Sequence, residues 1–330
     1  MKFLIVGLGS MGKRRVRNLQ RLGMTDITGF DPRADRRDEA AGKYGIATVA
    51  DWNEAREIKV DAWVVSTPPD THIDYGFQAV ERGIAFFTEA NVTDPRAGEM
   101  IRKLDEAGVV GAPSCTFRYY AGPKMIKQLL AEGAIGKPLM FSYHSGQYLP
   151  DWHPWESYKD FYVSKRETGA CREIVPFELC WLIDLLGEVE SLTCLKDKLT
   201  DLDADIDDIY QLLARFESGL IGHMVVDVIA RPAVRVFRLC GSEGTIEWDH
   251  TANQVRLWTA AAGAWQSIDL GSGTIEKGYI HAEEPYVDEM RDFVAAVRGE
   301  RPWAYTYEHD EAVLELLVRA ERSNDTGSHQ

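Results

Sequence analysis

The chain is short of cysteine, with five in 330 residues, at positions 115, 171, 180, 194 and 240 and without a CxxC pair. An odd, scattered set excludes a disulfide framework and a zinc ribbon, and reads as reduced thiols in a cytoplasm. The histidines are few as well; His144, His223 and His281 have no ligand spacing, so no metal site is expected. Basic charge is in deficit, 37 Lys and Arg against 52 Asp and Glu, for a formal net charge of −15. Nucleic acid and anionic membranes both need a basic surface, and neither is expected as a partner. Long apolar runs are missing too. The best, residues 174–186, is interrupted by Glu178 and Asp184 and falls short of the roughly 20 residues that span a bilayer. The opening MKFLIVGLGSMGK is too glycine-broken for a secretory signal and reads as a buried strand entering a turn. There are no repeats or low-complexity tracts.

What is present is an ordinary globular composition, 45% apolar and 27% charged, in a chain longer than one core usually serves. Two domains are expected. Up to about residue 112, apolar runs at 2–6, 27–30, 62–66, 84–88 and 109–111 alternate with helical patterns, which predicts a parallel sheet with crossover helices. Gly23, Gly83 and Gly108 stand where helix C-caps belong. After Phe117 the pattern changes. A helix at 122–132 leads to a strand, an aromatic loop YLPDWHPWESYKDFY and a helix at 172–186. Alternating runs at 210–216, 221–226 and 234–239 predict a mostly antiparallel sheet, closed by helices at 283–298 and 310–322 and a loose tail, SNDTGSHQ. The expected fold class is α/β. A Rossmann dinucleotide-binding domain (1–117) precedes an α+β domain (118–330) with a large open sheet, and the final helices are free to pack back on the first domain.

Gly7, Gly9 and Gly12, with Ser10 and Met11 between them, have the GxGxxG spacing directly between a strand and a helix. Gly7 allows the tight turn, Gly9 the approach of a pyrophosphate and Gly12 close helix–strand packing. The helix N-terminus faces the phosphates with free N–H groups. Asp31 ends the second strand where a ribose-binding acid belongs, which favours NAD and repels a 2′-phosphate. Arg33, Arg36 and Arg37 keep NADP open, either as a phosphate fork or as a solvated helix face. Ser66, Thr67 and Pro68 open the loop STPPDTH, which faces the cofactor in switch-point geometry. His72, at its end, reads by spacing as a helix-surface residue before a catalytic one.

The chain resembles the glucose–fructose oxidoreductase / inositol dehydrogenase / MocA family of NAD(P)-dependent sugar oxidoreductases. The resemblance rests on GLGSMGKRRVRNL, VVSTPPDTH, FFTEANVTD, GAIGKPL, GQYLPDWHPWESY and GTIEWD. It implies a sugar or nucleotide-sugar substrate, and an open sheet that supports homodimers or homotetramers. Two departures stand out. Where the family carries Glu-Lys-Pro, with the lysine polarising the reacting hydroxyl, this chain reads Glu89-Ala90-Asn91. Where the family carries His-Glu-(Leu/Ile)-Asp, it reads Phe177-Glu178-Leu179-Cys180.

Glu89 and Asn91 are therefore expected at the nicotinamide end, without the lysine. A positioned general base is worth 10²–10⁴-fold, and Glu178, Glu173 and His153 are the available substitutes. Pro176 is expected to kink the segment or to mark the helix start, which leaves Glu173 in a loop. Trp152, His153 and Trp155 suit sugar stacking, Phe177 lines the same site, and Arg118 and Tyr119 could hold an anionic substrate group. The leading expectation is an oxidoreductase with non-standard acid/base residues. The alternatives are an inactive dinucleotide-binding paralogue acting as sensor or scaffold, and a non-redox NAD-dependent glycosidase or lyase.

Overall fold

The computed structural model describes residues 1–152, 157–271, 273–276 and 282–328. The chain divides into two units, Met1–Thr116 with Thr274–Ala312, and Phe117–Gly273 with Val313–Gln330. The segment from Thr274, with its helix, thus groups with the first unit.

The first unit runs β1 (Lys2–Val6), α1 (Ser10–Arg21), β2 (Asp26–Phe30), α2 (Ala34–Tyr44), β3 (Ala47–Val49), α3 (Trp52–Ala55), β4 (Ala62–Val65), α4 (His72–Glu81), β5 (Ala85–Thr88), α5 (Ala97–Ala107) and β6 (Gly111–Pro113). Its sheet is parallel throughout, in the order β3-β2-β1-β4-β5-β6. Phe3 to Val6 and Ala62 to Val65 have no exposed surface, as parallel strands covered on both faces require. Strand order reverses between β1 and β4, which places the crevice for a ligand at their carboxyl ends. Two details depart from the sequence expectation. The edge strand β3 was not anticipated, and the last strand lies two residues later than expected.

The second unit contains α6 (Ala121–Ala131), β7 (Pro138–Gly146), α7 (Cys171–Leu186), β8 (Val189–Asp197), β9 (Ile209–Phe216), β10 (Ile221–Asp227), β11 (Val234–Gly241), β12 (Gly244–Asp249), β13 (Gln254–Thr259) and β14 (Ala264–Asp269). The chain then enters α8 (Glu284–Val297) of the first unit, and α9 (Tyr307–Thr326) crosses the second division. The sheet order is β14-β13-β12-β11-β7-β10-β9-β8, antiparallel except between β7 and β10. Tyr143, Met224, Phe237, Ile246 and Trp248 on one face are buried with Trp181 of α7. The other face holds a depression of about 720 Å³ lined by residues such as Gln211, His223, Arg238 and Arg256. The SNDT of the expected loose tail is helical. Ser323 Oγ accepts from Cys194 N at 3.2 Å and Asn324 Oδ1 from Lys196 N at 3.0 Å, so α9 continues where β8 offers it partners. Among the described residues no helix is long and apolar enough to cross a membrane.

Candidate functional site

Gly7 sits at φ +92°, and a Cβ there would stand 2.7 Å from the Ser66 carbonyl oxygen. At Gly12 a Cβ would fall 1.8 Å from the Gly7 oxygen, so the helix can leave the strand only without side chains at both positions. At Gly9 the nearest atom, Arg36 Nη1, is 3.6 Å away. The protein's own packing leaves that side of the turn open for a pyrophosphate. Ser10 is exposed at the start of α1, and Met11 touches Arg14. The first turn of α1 has neither an acidic residue nor a side-chain cap, which keeps the helix end suited to an anion.

Asp31 is 2% exposed and takes the Leu8 and Arg33 backbone N–H groups, each at 2.9 Å. The Arg33 side chain turns outward to Asp35, and Arg37 is tied to the Asp31 and Pro32 carbonyls. Arg36, 3.5 Å from Asp31 Oδ2 and beside Gly9, is the guanidinium that pairs with the Asp31 carboxylate. The glycine turn, the uncapped helix and Asp31 are what an NAD cofactor needs.

At the ends of β4 and β5, Ser66 donates to Glu89 Oε1 at 3.1 Å, and Thr67 shares a hydrogen bond with Thr71, whose hydroxyl also reaches the Pro68 carbonyl. Glu89 is gripped by Arg15 through two bonds of 2.7 Å. Arg15, without exposed surface, also donates to Glu289 at 2.8 Å. Glu289 in turn accepts from Ser114, Thr116 and the Cys115 N–H. Burial raises the Glu289 carboxyl, while the two acids hold Arg15 firmly charged. His72 is a correction: it lies 2% exposed, not on the helix surface. Its Nε2 reaches the Thr67 carbonyl at 2.9 Å and its Nδ1 reaches Asn91 at 3.1 Å, and burial lowers its pKa. Asn91 passes the chain on to Asp310.

In the second unit α7 begins at Cys171 and runs through Pro176, so Glu173 is helical rather than in a loop. It precedes Phe177 by one turn on the same face. Tyr162 donates to Glu173 Oε1 at 2.9 Å, and burial pushes its carboxyl up to about 7. Glu178 has a different setting. It has no exposed surface and receives Tyr143 at 2.6 Å, Ser145 and Trp181 at 2.8 Å, and Arg235 at 2.9 Å. A carboxylate filled by four donors and closed to solvent is poorly set to receive a proton from a substrate. Phe177 packs 4.7 Å from Phe117, whose ring carries Arg235 at 4.3 Å.

Arg118 donates to the Cys180 carbonyl at 3.1 Å and pairs with Asp184 at 3.4 Å, which engages the group expected to meet an anion. Tyr119 lies under Lys124, and Trp152 donates to the Gln147 carbonyl. His153 and Trp155 lie outside the described residues. Sequence reasoning did not single out Arg235, Asp310 or Arg15. Each is paired with a residue far away in the chain, and no local pattern marks it. Among the described residues no group of three acidic, His or Cys side chains is arranged to hold a metal.

The first unit is thus an NAD-binding Rossmann domain of the oxidoreductase type. The chain belongs to the GFO/IDH/MocA oxidoreductase family: residues 1–115 match its NAD-binding Rossmann fold and residues 124–247 its C-terminal domain. It is similar to inositol 2-dehydrogenase 3 of Saccharopolyspora erythraea, 26% identical over 225 residues, or 65% of this chain and 63% of that protein. The match therefore spans less than two thirds of that relative. Among solved structures it resembles an oxidoreductase from Agrobacterium radiobacter in complex with NAD+, L-tartaric acid and magnesium, with TM-score 0.88 and 14% identity over 100% of this chain and 98% of that one. It also resembles levoglucosan dehydrogenase in complex with NADH and levoglucosan, with TM-score 0.87 and 18% identity over the same shares. At those identities the likeness establishes the fold.

Proposed function

We propose that the chain is an NAD-dependent dehydrogenase that interconverts a hydroxyl and a ketone on a sugar-like substrate, with Glu173 as the proton acceptor in place of the family's histidine. The observation that supports this is the position and state of Glu173, one turn before Phe177 and raised to about 7. A base works best with a pKa near the operating pH, and burial brings a carboxylate there. Bound NAD+ supplies the hydride acceptor. Glu173 takes the hydroxyl proton, and the Tyr162 hydroxyl holds its carboxylate in place. Glu178 acts as a positioning residue that fixes Arg235, and Ala90 leaves the work of the missing lysine to Glu173. The similarity to an inositol dehydrogenase supports a polyhydroxy substrate. The open sheet face is the surface through which a homodimer or homotetramer would form.

The test is NADH production from a panel of inositols, sugars and nucleotide sugars, followed across pH. Turnover that rises with pH through about 7 in the wild type, and falls 10²–10⁴-fold in Glu173→Gln, supports the reading. Turnover unaffected by Glu173→Gln overturns it. A second reading is favoured by one observation: Ala90 and Phe177 remove both family proton-handling groups. An inactive dinucleotide-binding paralogue would bind NADH and turn over nothing in the panel.

A further inference from the structure

Arg235 is a largely buried charge of the second unit, 14% exposed at its side chain, that the reaction leaves without a task. β11 pairs it in register with Ser145 of β7, on the covered face of the sheet. Its Nη2 donates to Glu178 Oε1 at 2.9 Å and to Ser145 Oγ at 3.3 Å. Its Nε is buried with no acceptor, and the Tyr143 hydroxyl is a further hydrogen-bond partner of the guanidinium. Arg15, by contrast, meets Glu89 through two parallel bonds. Here Glu178 takes one nitrogen and fills its other positions with the neutral donors of Tyr143, Ser145 and Trp181. Nε stays unmet, and a buried N–H without an acceptor costs about 1–3 kcal/mol.

The surroundings narrow the choice of ligand. Phe117 lies against the guanidinium and against Phe177, which places Arg235 one ring away from the position of the family histidine. His250, packed on Tyr120 and Trp248, is pushed down to about 4 by burial and by the Arg235 charge. It is therefore neutral and adds no second cation. The open Nε belongs to a fork that can only donate. A hydroxyl must also place its own hydrogen, whereas a carboxylate brings acceptors alone and matches the planar fork.

We propose that Arg235 anchors a carboxylate and that the substrate class is a sugar acid, an aldonate or uronate rather than a neutral polyol. Calling that ligand a substrate rests on the dehydrogenase reading above, but the anion site is testable without turnover.

The experiment is calorimetric titration of the full-length protein, saturated with NADH, using matched pairs at low salt: gluconate against sorbitol and glucuronate against glucose. Each acid is expected to bind at least tenfold tighter than its neutral partner. Arg235→Lys, which keeps the charge but not the fork, should cut that preference severalfold. Arg235→Met with Glu178→Gln, which leaves no bare buried charge, should abolish it while NADH affinity stays unchanged. Acids that bind no better than their neutral partners overturn the proposal, as does a preference undiminished in Arg235→Lys or one that survives in the double variant. Acid preference without NADH production from any substrate leaves the anion site standing and removes the dehydrogenase reading. Oxidation of sorbitol or glucose without acid preference does the reverse.

Discussion

Asn91 Nδ2 lies 2.7 Å from Asp310 Oδ2, and the oxygen of the same amide faces His72 Nδ1 at 3.1 Å. His72 Nε2 reaches a carbonyl, which can only accept, so that nitrogen carries a proton. Burial favours the neutral ring, whose Nδ1 then needs a donor. If Asn91 turns its NH2 to His72, its oxygen faces Asp310, and that contact is favourable when Asp310 keeps its proton. Burial pushes Asp310 up to about 6, the direction this arrangement requires. One amide therefore couples the proton states of two buried groups.

A stability measurement follows from that coupling. A carboxyl whose folded pKa is raised keeps its proton where the unfolded chain has lost it. Its contribution to stability is then present at low pH and lost as pH rises from 3.8 to about 6. Asp310→Asn removes this dependence. The stability of the wild type minus that of the variant should fall by on the order of 2–3 kcal/mol across that window. Urea midpoints of both proteins between about pH 4 and 7 check it, and a flat difference would show that Asp310 does not titrate there.

Asp31 and Arg36 stand in opposition at the ribose end. The acid repels a 2′-phosphate, and the guanidinium 3.5 Å away would accept one. Asp31→Ser should weaken NADH binding and shift the NADPH-to-NADH affinity ratio by about tenfold or more, some 1.4 kcal/mol. Arg36→Ala in the same background should reverse the gain. Energy transfer from tryptophan to the bound nicotinamide reads both, and an unchanged ratio would remove Asp31 from cofactor choice.

The two glutamates of α7 should separate cleanly. Glu178→Ala leaves Arg235 buried without its counter-charge and is expected to cost about 3–5 kcal/mol. Glu173→Gln keeps the Tyr162 contact and removes only the titrating charge, so below about pH 4.5, where both side chains are neutral, stability should stay within about 1 kcal/mol of wild type, while turnover at higher pH collapses. A thermal melt alongside initial rates distinguishes them. Equal stability losses would mean that both are structural.

The Rossmann half was legible because its signals are local: period, glycine spacing, and an acid at the end of β2. Strand β3 escaped because three residues, Ala47-Thr48-Val49, are too few to show a period. The helical end of α9 escaped because Ser323 and Asn324 are polar residues whose partners lie on β8. Glu178 was visible as an acid inside the apolar run VPFELCWLI, which signals a buried charge in need of a partner. Its partner, Arg235, is 57 residues away, and only the sheet register brings them together. His72 was misread for the same reason. Its neighbours in sequence resemble a helix surface, and its burial comes from Asn91 and the turn at Thr67.

Arg15 between Glu89 and Glu289 makes an asymmetric prediction. Two acids share one guanidinium, so removing either leaves Arg15 with a partner, but their settings differ. Glu289 has no exposed surface, and it also collects Ser114, Thr116 and the Cys115 N–H. Glu289→Ala therefore orphans three further donors and should cost about 3–5 kcal/mol. Glu89 is partly exposed, 14% at its side chain, and its other donor is Ser66. Glu89→Ala leaves the Arg15–Glu289 pair neutral and buried, and should cost about 1–2 kcal/mol. Its main effect should be on NADH affinity, because the Ser66 turn packs against Gly7 of the dinucleotide loop. Urea unfolding ranks the stabilities, and NADH titration ranks the binding. The same order in both measurements would mean that Glu89 is only a buttress of the fold.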